Sequence, residues 1–249
     1  MRSQLSKTIW ITGASSGLGR ALAIKLAANG HRIIASARTA AALEQLALDS
    51  NIVAVPCDIS DEQSLQRAID VIKADHTYLD QVILNAGVCE YLDFPNPDWG
   101  SVRRVMEVNY FATVNCVRLA LPLLMNASDQ GRRSQVVAIA SQVTAAPFPR
   151  AEAYGASKAA LQYFFNSLRI DLVGEGIDVS VINPGFVDTP LTQKNNFAMP
   201  FLMDVDDAAR RIIKRLDARP RSYSFPKRLS LVLLLSRLFP GLWQKLLSR

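Results

Sequence analysis

Lys7-Thr-Ile-Trp-Ile-Thr12 leads directly into Gly13-Ala-Ser-Ser-Gly17-Leu-Gly19, and this stretch decides the fold of the chain. The first six residues are typical of a buried strand, and residues 20–29 have a helical pattern. Glycines between a strand and a helix permit a tight turn and let backbone N–H groups approach a pyrophosphate, which the helix N-terminus favours. The spacing differs from the commoner Gly-x-Gly-x-x-Gly, but the strand before it and the helix after it favour phosphate binding over an ordinary turn.

Further apolar runs alternate with helical patterns along the chain. Long helices are predicted near 99–126 and 152–173, and strands near 7–12, 31–36, 52–56, 79–84, 134–140, 177–183 and, weakly, 222–225. This alternation predicts an α/β fold, a single Rossmann-like domain whose doubly wound parallel sheet is covered by helices on both faces. Ligands bind such sheets beyond the carboxyl ends of the strands.

Tyr154 and Lys158 carry the strongest chemical signal. Residues four apart on a helix share a face, so the Lys158 ammonium is expected to favour the ionised form of the Tyr154 phenol and make it a usable acid. This spacing alone is also common on solvated helices, so it gains weight only from the other motifs.

Together these motifs resemble the short-chain dehydrogenase/reductase family. Thr12–Gly19 matches the family fingerprint Thr-Gly-x-x-x-Gly-x-Gly. The other matches, in chain order and covering roughly residues 5–225, are Asp58, Asn85-Ala86-Gly87, Asn109, Ser141, Tyr154 with Lys158, and Pro184-Gly185. The resemblance implies an oxidoreductase that transfers a hydride between a nicotinamide and a carbonyl or alcohol carbon.

The end of the second strand indicates which nicotinamide cofactor is used. Ala35-Ser36-Ala37-Arg38-Thr39 lacks the carboxylate that would bind ribose hydroxyls, so we expect Arg38 to bind a 2′-phosphate and the cofactor to be NADP(H). An arginine on a solvated loop is the alternative. The cofactor-binding residues implied are Gly13, Ser15, Ser16, Gly17, Leu18, Gly19, Arg38, Asp58, Ile59, Asn85, Ala86, Gly87, Tyr154, Lys158, Pro184, Gly185, Val187 and Thr189.

The resemblance also assigns catalytic roles. Tyr154 is the general acid or base, Lys158 lowers the pKa of Tyr154 and binds the nicotinamide ribose, and Ser141 holds the substrate oxygen. Asn109 resembles the residue that anchors a water-mediated proton relay. Taken singly, Ser141 is also a common turn former and Asn109 a common buried hydrogen-bonding residue.

Composition adds further limits. A chain of 249 residues with 49% hydrophobic residues can bury a large core. Cys57, Cys89 and Cys116 have no spacing typical of zinc or of a redox dithiol, so we expect no metal, reduced thiols and a cytoplasmic location, and the N-terminus shows no signal-peptide pattern.

Apolar side chains dominate the loops expected to line a substrate pocket, which indicates an apolar carbonyl compound or secondary alcohol. They are Val143, Pro147, Phe148, Phe197, Met199, Phe201, Leu202 and Met203. Ordinary packing or a subunit contact is the alternative. Residues 190–204 are expected to be a mobile lid.

The tail beyond residue 209 is strongly basic, with eleven basic residues and one acid, Asp217. We divide the chain into a short-chain dehydrogenase domain at 1–226 and a basic amphipathic helical extension at 227–249. The longest uninterrupted apolar run in the extension is too short to span a membrane. It is expected either to pack over the pocket or between subunits, or to contact the inner face of an anionic membrane. Nucleic acid is not expected.

The sequence thus predicts an NADP(H)-dependent enzyme, a homodimer through the long helices near 99–126 and 152–173. A nonenzymatic nucleotide-sensing or membrane-surface binding protein that keeps the fold is the alternative function.

Overall fold

A computed structural model describes residues 5–248, so residues 1–4 and 249 of the predicted domain bounds lie outside the described residues. The strands are β1 (Thr8–Thr12), β2 (Arg32–Ser36), β3 (Ile52–Ala54), β4 (Gln81–Leu84), β5 (Ser134–Ile139), β6 (Ile177–Pro184) and β7 (Ser222–Phe225). The α-helices are α1 (Gly17–Ala28), α2 (Ala40–Leu46), α3 (Glu62–Asp75), α4 (Gly100–Met106), α5 (Ala112–Asp129), α6 (Glu152–Asp171), α7 (Val205–Leu216), α8 (Lys227–Leu238) and α9 (Pro240–Leu247).

All seven strands form one parallel sheet in the order β3-β2-β1-β4-β5-β6-β7. The order reverses between β1 and β4, which is where a doubly wound sheet opens a crevice for a ligand. The predicted Rossmann-like α/β fold is therefore confirmed, and each predicted strand is present within a few residues of its expected bounds.

The core lies on both faces of the sheet, because alternate residues of a strand point to opposite sides. Trp10 of β1 packs with α3, α5 and α6 on one face. Its neighbours Ile9 and Ile11 pack with α1 and α7 on the other face. The sheet is thus covered by helices on both faces.

Local capping fixes where two of these helices begin. The Asp61 carboxylate accepts hydrogen bonds from the backbone of Gln63 and Ser64, and the Asp204 carboxylate accepts them from Asp206 and Asp207. Aspartate at this position satisfies backbone N–H groups that have no partner in the first turn of a helix.

The run Gly100–Asp129 is helical throughout but contains a π-helical segment, Glu107–Phe111, between α4 and α5. By length and apolar composition this run would suffice to cross a membrane. Many of its side chains belong to the main core, including Val117 and Leu124. It therefore has the character of a core helix. The π-helical segment contains Asn109, and π-helical turns often mark functional sites.

Candidate active site

A cleft at the carboxyl edge of the sheet brings together nearly all of the predicted site residues. Those that line it are Gly13, Ser15, Ser16, Gly17, Leu18, Arg38, Asp58, Ile59, Asn85, Ala86, Gly87, Ser141, Tyr154, Lys158, Pro184, Gly185, Val187 and Thr189. They come from the segments that follow six strands, β1 to β6, with Tyr154 and Lys158 on α6. Gly19 and Asn109 are predicted site residues that do not line the cleft.

The glycine-rich loop leaves no room for side chains. Gly13 has φ +69°, and a Cβ there would lie 2.7 Å from Ala86 Cα. A Cβ at Gly19 would lie 2.2 Å from Gly13 O, which explains why Gly19 is required although it does not line the cleft. Thr12 Oγ1 accepts hydrogen bonds from Asn85 N and Ala86 N and so joins this loop to the end of β4. This crowding leaves bare backbone at the start of α1, which fits a pyrophosphate.

Arg38 is exposed beside Thr39 at the rim of the same cleft. Within the described part of the chain it forms no ion pair, so its guanidinium is available to a ligand. Asp58 lines the cleft nearby, but its Oδ1 also accepts hydrogen bonds from the backbone N–H and hydroxyl of Ser60. Asp58 therefore shapes the loop after β3 as well as facing the cleft.

Asn109 is fully buried, and its amide is satisfied within the protein. Its Nδ2 donates to Val88 O and to Ser157 Oγ, both at 2.9 Å, and its Oδ1 accepts from Val88 N at 2.8 Å. The structure thus shows Asn109 bracing the loop after β4 against α6. Its role in a proton relay stays a prediction.

Lys158 is buried beneath the cleft, where its Nζ donates to Ile139 O at 2.9 Å. Burial lowers the pKa of Lys158 from 10.5 to about 8, because a desolvated ammonium is disfavoured. At neutral pH the ammonium is still charged, and it lies 5.8 Å from the centre of the Tyr154 ring.

Burial also raises the pKa of the Tyr154 phenol, with the nearby Cys89 as a second cause, while a hydrogen bond with Ser141 opposes the rise. The lowering of the Tyr154 pKa expected from Lys158 is therefore not seen here, because desolvation dominates. The consequence is that Tyr154 holds its proton at neutral pH. The role of Lys158 in activating Tyr154 stays a prediction.

A second cavity, of about 370 Å³, joins the cleft at Ser141 and Tyr154, which line both. Its walls are mainly apolar and include the predicted residues Val143, Phe148 and Phe197. The other predicted pocket residues, Pro147, Met199, Phe201, Leu202 and Met203, do not line it. Met203 instead is buried and pairs with Val187 in an isolated bridge.

The C-terminal helices supply walls that the sequence did not assign to the pocket, namely Leu229, Leu233, Trp243 and Leu247. Gln142, directly after Ser141, donates to Phe225 O and accepts from Ser230 Oγ of α8. Trp243 Nε1 donates to Pro147 O. One face of the helical extension therefore packs over the pocket, which was one of the two placements left open by the sequence.

The segment predicted to be a lid is joined to the opposite wall. The Tyr91 hydroxyl hydrogen-bonds Asn195, and Arg150 donates to Asn196. Phe197 meets the edges of Tyr91 and Phe186. Cys89 and Tyr91 line the cavity and were missed from the sequence, because no spacing pattern connects them with Tyr154. Burial raises the pKa of Cys89, so its thiol is protonated at neutral pH.

Among residues 5–248 there is no group of three His, Cys, Asp or Glu side chains that could hold a metal ion.

The comparisons with known proteins agree with this geometry. Residues 7–199 match the family model described as short chain dehydrogenase. The chain is 34% identical over 240 residues to an uncharacterized oxidoreductase of Myxococcus xanthus, a match covering 94% of this chain and 93% of that protein. It is 34% identical over 199 residues to 11-beta-hydroxysteroid dehydrogenase 1A of Arabidopsis thaliana, covering 77% of this chain but only 55% of the plant protein.

The structure of a Pseudomonas aeruginosa RhlG/NADP active-site complex superposes with a TM-score of 0.72 at 29% identity, covering 77% of each chain. The chain therefore belongs to the short chain dehydrogenase family. It is an oxidoreductase, and family members of known structure are described in complex with nicotinamide cofactors.

Proposed function

We propose that the protein transfers a hydride between NADP(H) and an apolar carbonyl compound or secondary alcohol. The observation that carries this proposal is that Ser141 and Tyr154 stand where the nucleotide cleft meets the apolar cavity. Two polar hydroxyls at the junction of a cofactor site and an apolar pocket are placed to bind one substrate oxygen.

The preference for NADP(H) rests on Arg38. No carboxylate stands at the end of β2, and the Arg38 guanidinium at the rim of the cleft suits bidentate contact with a phosphate. The Pseudomonas structure, which is described as an NADP complex, supports the same preference.

The other residues of the site would bind the cofactor, orient the substrate and transfer the proton. The backbone of the glycine-rich loop binds the pyrophosphate, and Val187 and Thr189 bind the carboxamide. When bound, the nicotinamide supplies or accepts the hydride. Ser141 Oγ orients the substrate oxygen, and the Tyr154 hydroxyl donates its proton to that oxygen in reduction or accepts one in oxidation.

In the reductive direction Tyr154 starts with its proton at neutral pH and can donate it to the substrate oxygen. Lys158 keeps its charge below about pH 8 and places it beside the phenol, so it stabilises the negative charge left when the proton departs. We therefore expect reduction to slow as the pH rises through about 8.

The substrate should be apolar and of moderate size. A volume of about 370 Å³ falls within the range typical of small-molecule pockets. Arg150 is the only arginine among the described residues that line this cavity, and it is paired with Asp93, which argues against a strongly anionic substrate. A substrate panel should contain aliphatic and cyclic ketones and one steroid ketone, because the Arabidopsis relative is named as a hydroxysteroid dehydrogenase.

The cofactor proposal is tested by fluorescence titration of wild type and Arg38→Ala with NADPH and NADH. Wild type is expected to bind NADPH more tightly, and the variant to lose at least tenfold in NADPH affinity with little change for NADH. Arg67→Ala, which removes an exposed arginine of α3, is the matched control. An equal loss of affinity for NADPH and NADH would show that Arg38 does not bind the 2′-phosphate.

The proton-transfer role is tested by Tyr154→Phe on the best substrate of the panel. Loss of the hydroxyl should reduce kcat by about 10²–10⁴ while the affinity for NADPH changes little. A variant that turns over at the wild-type rate would exclude Tyr154 as the general acid.

We further propose a cytoplasmic homodimer formed through α5 and α6. These helices and the turns beside them expose Phe111, Tyr163, Ile170 and Val173, at 50–79% of their full accessibility. Light scattering should give twice the chain mass for wild type and a single chain for Tyr163→Glu/Ile170→Glu; an unchanged mass would place the contact elsewhere.

A further inference from the structure

The C-terminal helices α8 and α9 carry apolar side chains on two opposite faces. The inner face, with Leu229 and Leu233, is buried over the substrate cavity. The outer face of α8 repeats leucine at the helical spacing of three and four residues: Leu231, Leu234, Leu235 and Leu238 are 49–65% exposed. We call this outer face, together with its continuation through Phe239, Leu242 and Leu246, the outer apolar stripe.

Such a stripe is unusual on a water-facing surface. Single exposed leucines are ordinary, but a contiguous run of them marks an interaction site. Phe239, Leu242 and Leu246 are each 57–59% exposed, so the stripe extends from α8 along α9. About half or more of the surface of each of these side chains is therefore open to a partner.

Cations frame one end of the stripe. Lys227 and Arg228 lie one turn before Leu231 and are exposed. They share a shallow groove with Arg211 and Arg215 of α7. Cations in the first turn of a helix are disfavoured by the helix dipole, so this placement has a local cost that an anionic partner would offset. The sequence contains no Asp or Glu after Asp217, so no acidic residue of the extension opposes such a partner.

The charge distribution discriminates between possible partners. A second copy of the chain meeting the same surface about a twofold axis would bring no acidic residue of its own extension to these cations, because the extension contains no Asp or Glu. An anionic lipid bilayer is complementary to both the outer apolar stripe and the cations at its end, because its acyl region accepts leucines and its headgroups attract lysine and arginine. At 12 residues, α8 is too short to span a bilayer and suits a position in the plane of the interface.

We infer that the outer apolar stripe and its flanking cations dock the protein on an anionic membrane surface. The inner face of the same helices lines the apolar cavity, so docking places that cavity directly beneath the lipid. The docking surface does not depend on the proposed reaction, since none of its residues lines the nucleotide cleft.

The test is co-sedimentation of the full-length protein with vesicles of phosphatidylcholine alone or mixed with phosphatidylglycerol. Wild type should sediment with the mixed vesicles, much less with phosphatidylcholine alone, and less as salt is raised. Leu231→Glu/Leu235→Glu should reduce binding at least tenfold. Lys227→Gln/Arg228→Gln should reduce it roughly 30-fold, since each cation near an anionic surface contributes about fivefold.

Matched control variants make the same changes at exposed positions outside the extension. Leu48→Glu/Val71→Glu and Arg67→Gln/Lys73→Gln should bind vesicles as wild type does. Circular dichroism confirms that each variant is folded, and the NADPH titration reports separately on the nucleotide cleft.

Two results would overturn the inference. One is that wild type does not bind the mixed vesicles, or that stripe and control variants bind alike. The other is that Leu231→Glu/Leu235→Glu lowers the mass found by light scattering without changing vesicle binding, which would make the stripe a contact between copies of the chain. Either result leaves the NADPH and turnover assays unaffected, so failure of docking is distinguishable from failure of the proposed reaction.

Discussion

Replacing the buried Lys158 by methionine should stabilise the protein while abolishing its activity. The pKa of Lys158 falls from 10.5 in the unfolded chain to about 8 in the folded protein. At 1.36 kcal/mol per pKa unit, keeping this ammonium charged at neutral pH lowers the free energy of unfolding by about 3 kcal/mol. Methionine fills the same space without charge but loses the hydrogen bond to Ile139 O, a loss of about 1–2 kcal/mol. The net gain at pH 7 is about 1–2 kcal/mol.

The pH dependence isolates the cause. Below pH 8 both states of wild type hold the proton, and the full penalty applies. Between pH 8 and 10.5 the unfolded chain holds more protons than the folded one, so wild-type stability rises with pH. The stability difference should therefore shift by about 3 kcal/mol in favour of wild type across that window, so that Lys158→Met becomes the less stable protein at pH 10.5.

Urea denaturation of wild type and variant from pH 7 to 10.5 measures this difference directly, because other titrating groups cancel. Lys73→Met, at an exposed lysine of α3, is the control and should show no such trend. A stability difference between Lys158→Met and wild type that stays constant over the whole pH range would refute the reasoning, since no titration of Lys158 would then be linked to folding.

Gly19→Ala should abolish NADPH binding or folding, because its Cβ would overlap Gly13 O, whereas Gly174→Ala, with open space around it, should retain nucleotide binding in the same titration; normal affinity in Gly19→Ala would contradict the close packing of the loop. Asp80→Ala should cost about 2–3 kcal/mol in urea denaturation, because the buried carboxylate pairs with Arg132 and accepts a hydrogen bond from Thr8 N; a loss below about 0.5 kcal/mol would show that the pair contributes little. Leu233→Ala should cost about 2–3 kcal/mol and change KM more than kcat for a bulky ketone; unchanged KM values would exclude it from the substrate cavity.

Much of the fold could be predicted because its signals are local. The alternation of apolar runs with helical patterns specified the parallel sheet, since side-chain period follows directly from backbone geometry. The glycines of residues 13–19 mark a turn that admits no side chain, as the Cβ contacts at Gly13 and Gly19 now show. The strand-end motifs converged because parallel strands present their carboxyl ends at one edge.

The pocket walls were less accessible to sequence reasoning. The sequence predicts a basic amphipathic tail that contains Leu229, Leu233 and Trp243. Only tertiary packing shows that one face of this tail covers the cavity. Met203 read as a pocket residue, but its bridge to Val187 directs it into the core. An apolar sequence pattern predicts that a side chain is buried, but it does not predict which part of the protein the side chain packs against.

The sheet, the glycine-rich loop and the residues that meet at the carboxyl edge of the sheet followed from the sequence, because each has a short-range pattern along the chain. Only the tertiary structure decided the ionisation of Tyr154 and Lys158, and the joining of cleft and cavity at Ser141. Both depend on desolvation and on contacts between residues distant in sequence. These quantities exist only once the helices and the sheet have packed together.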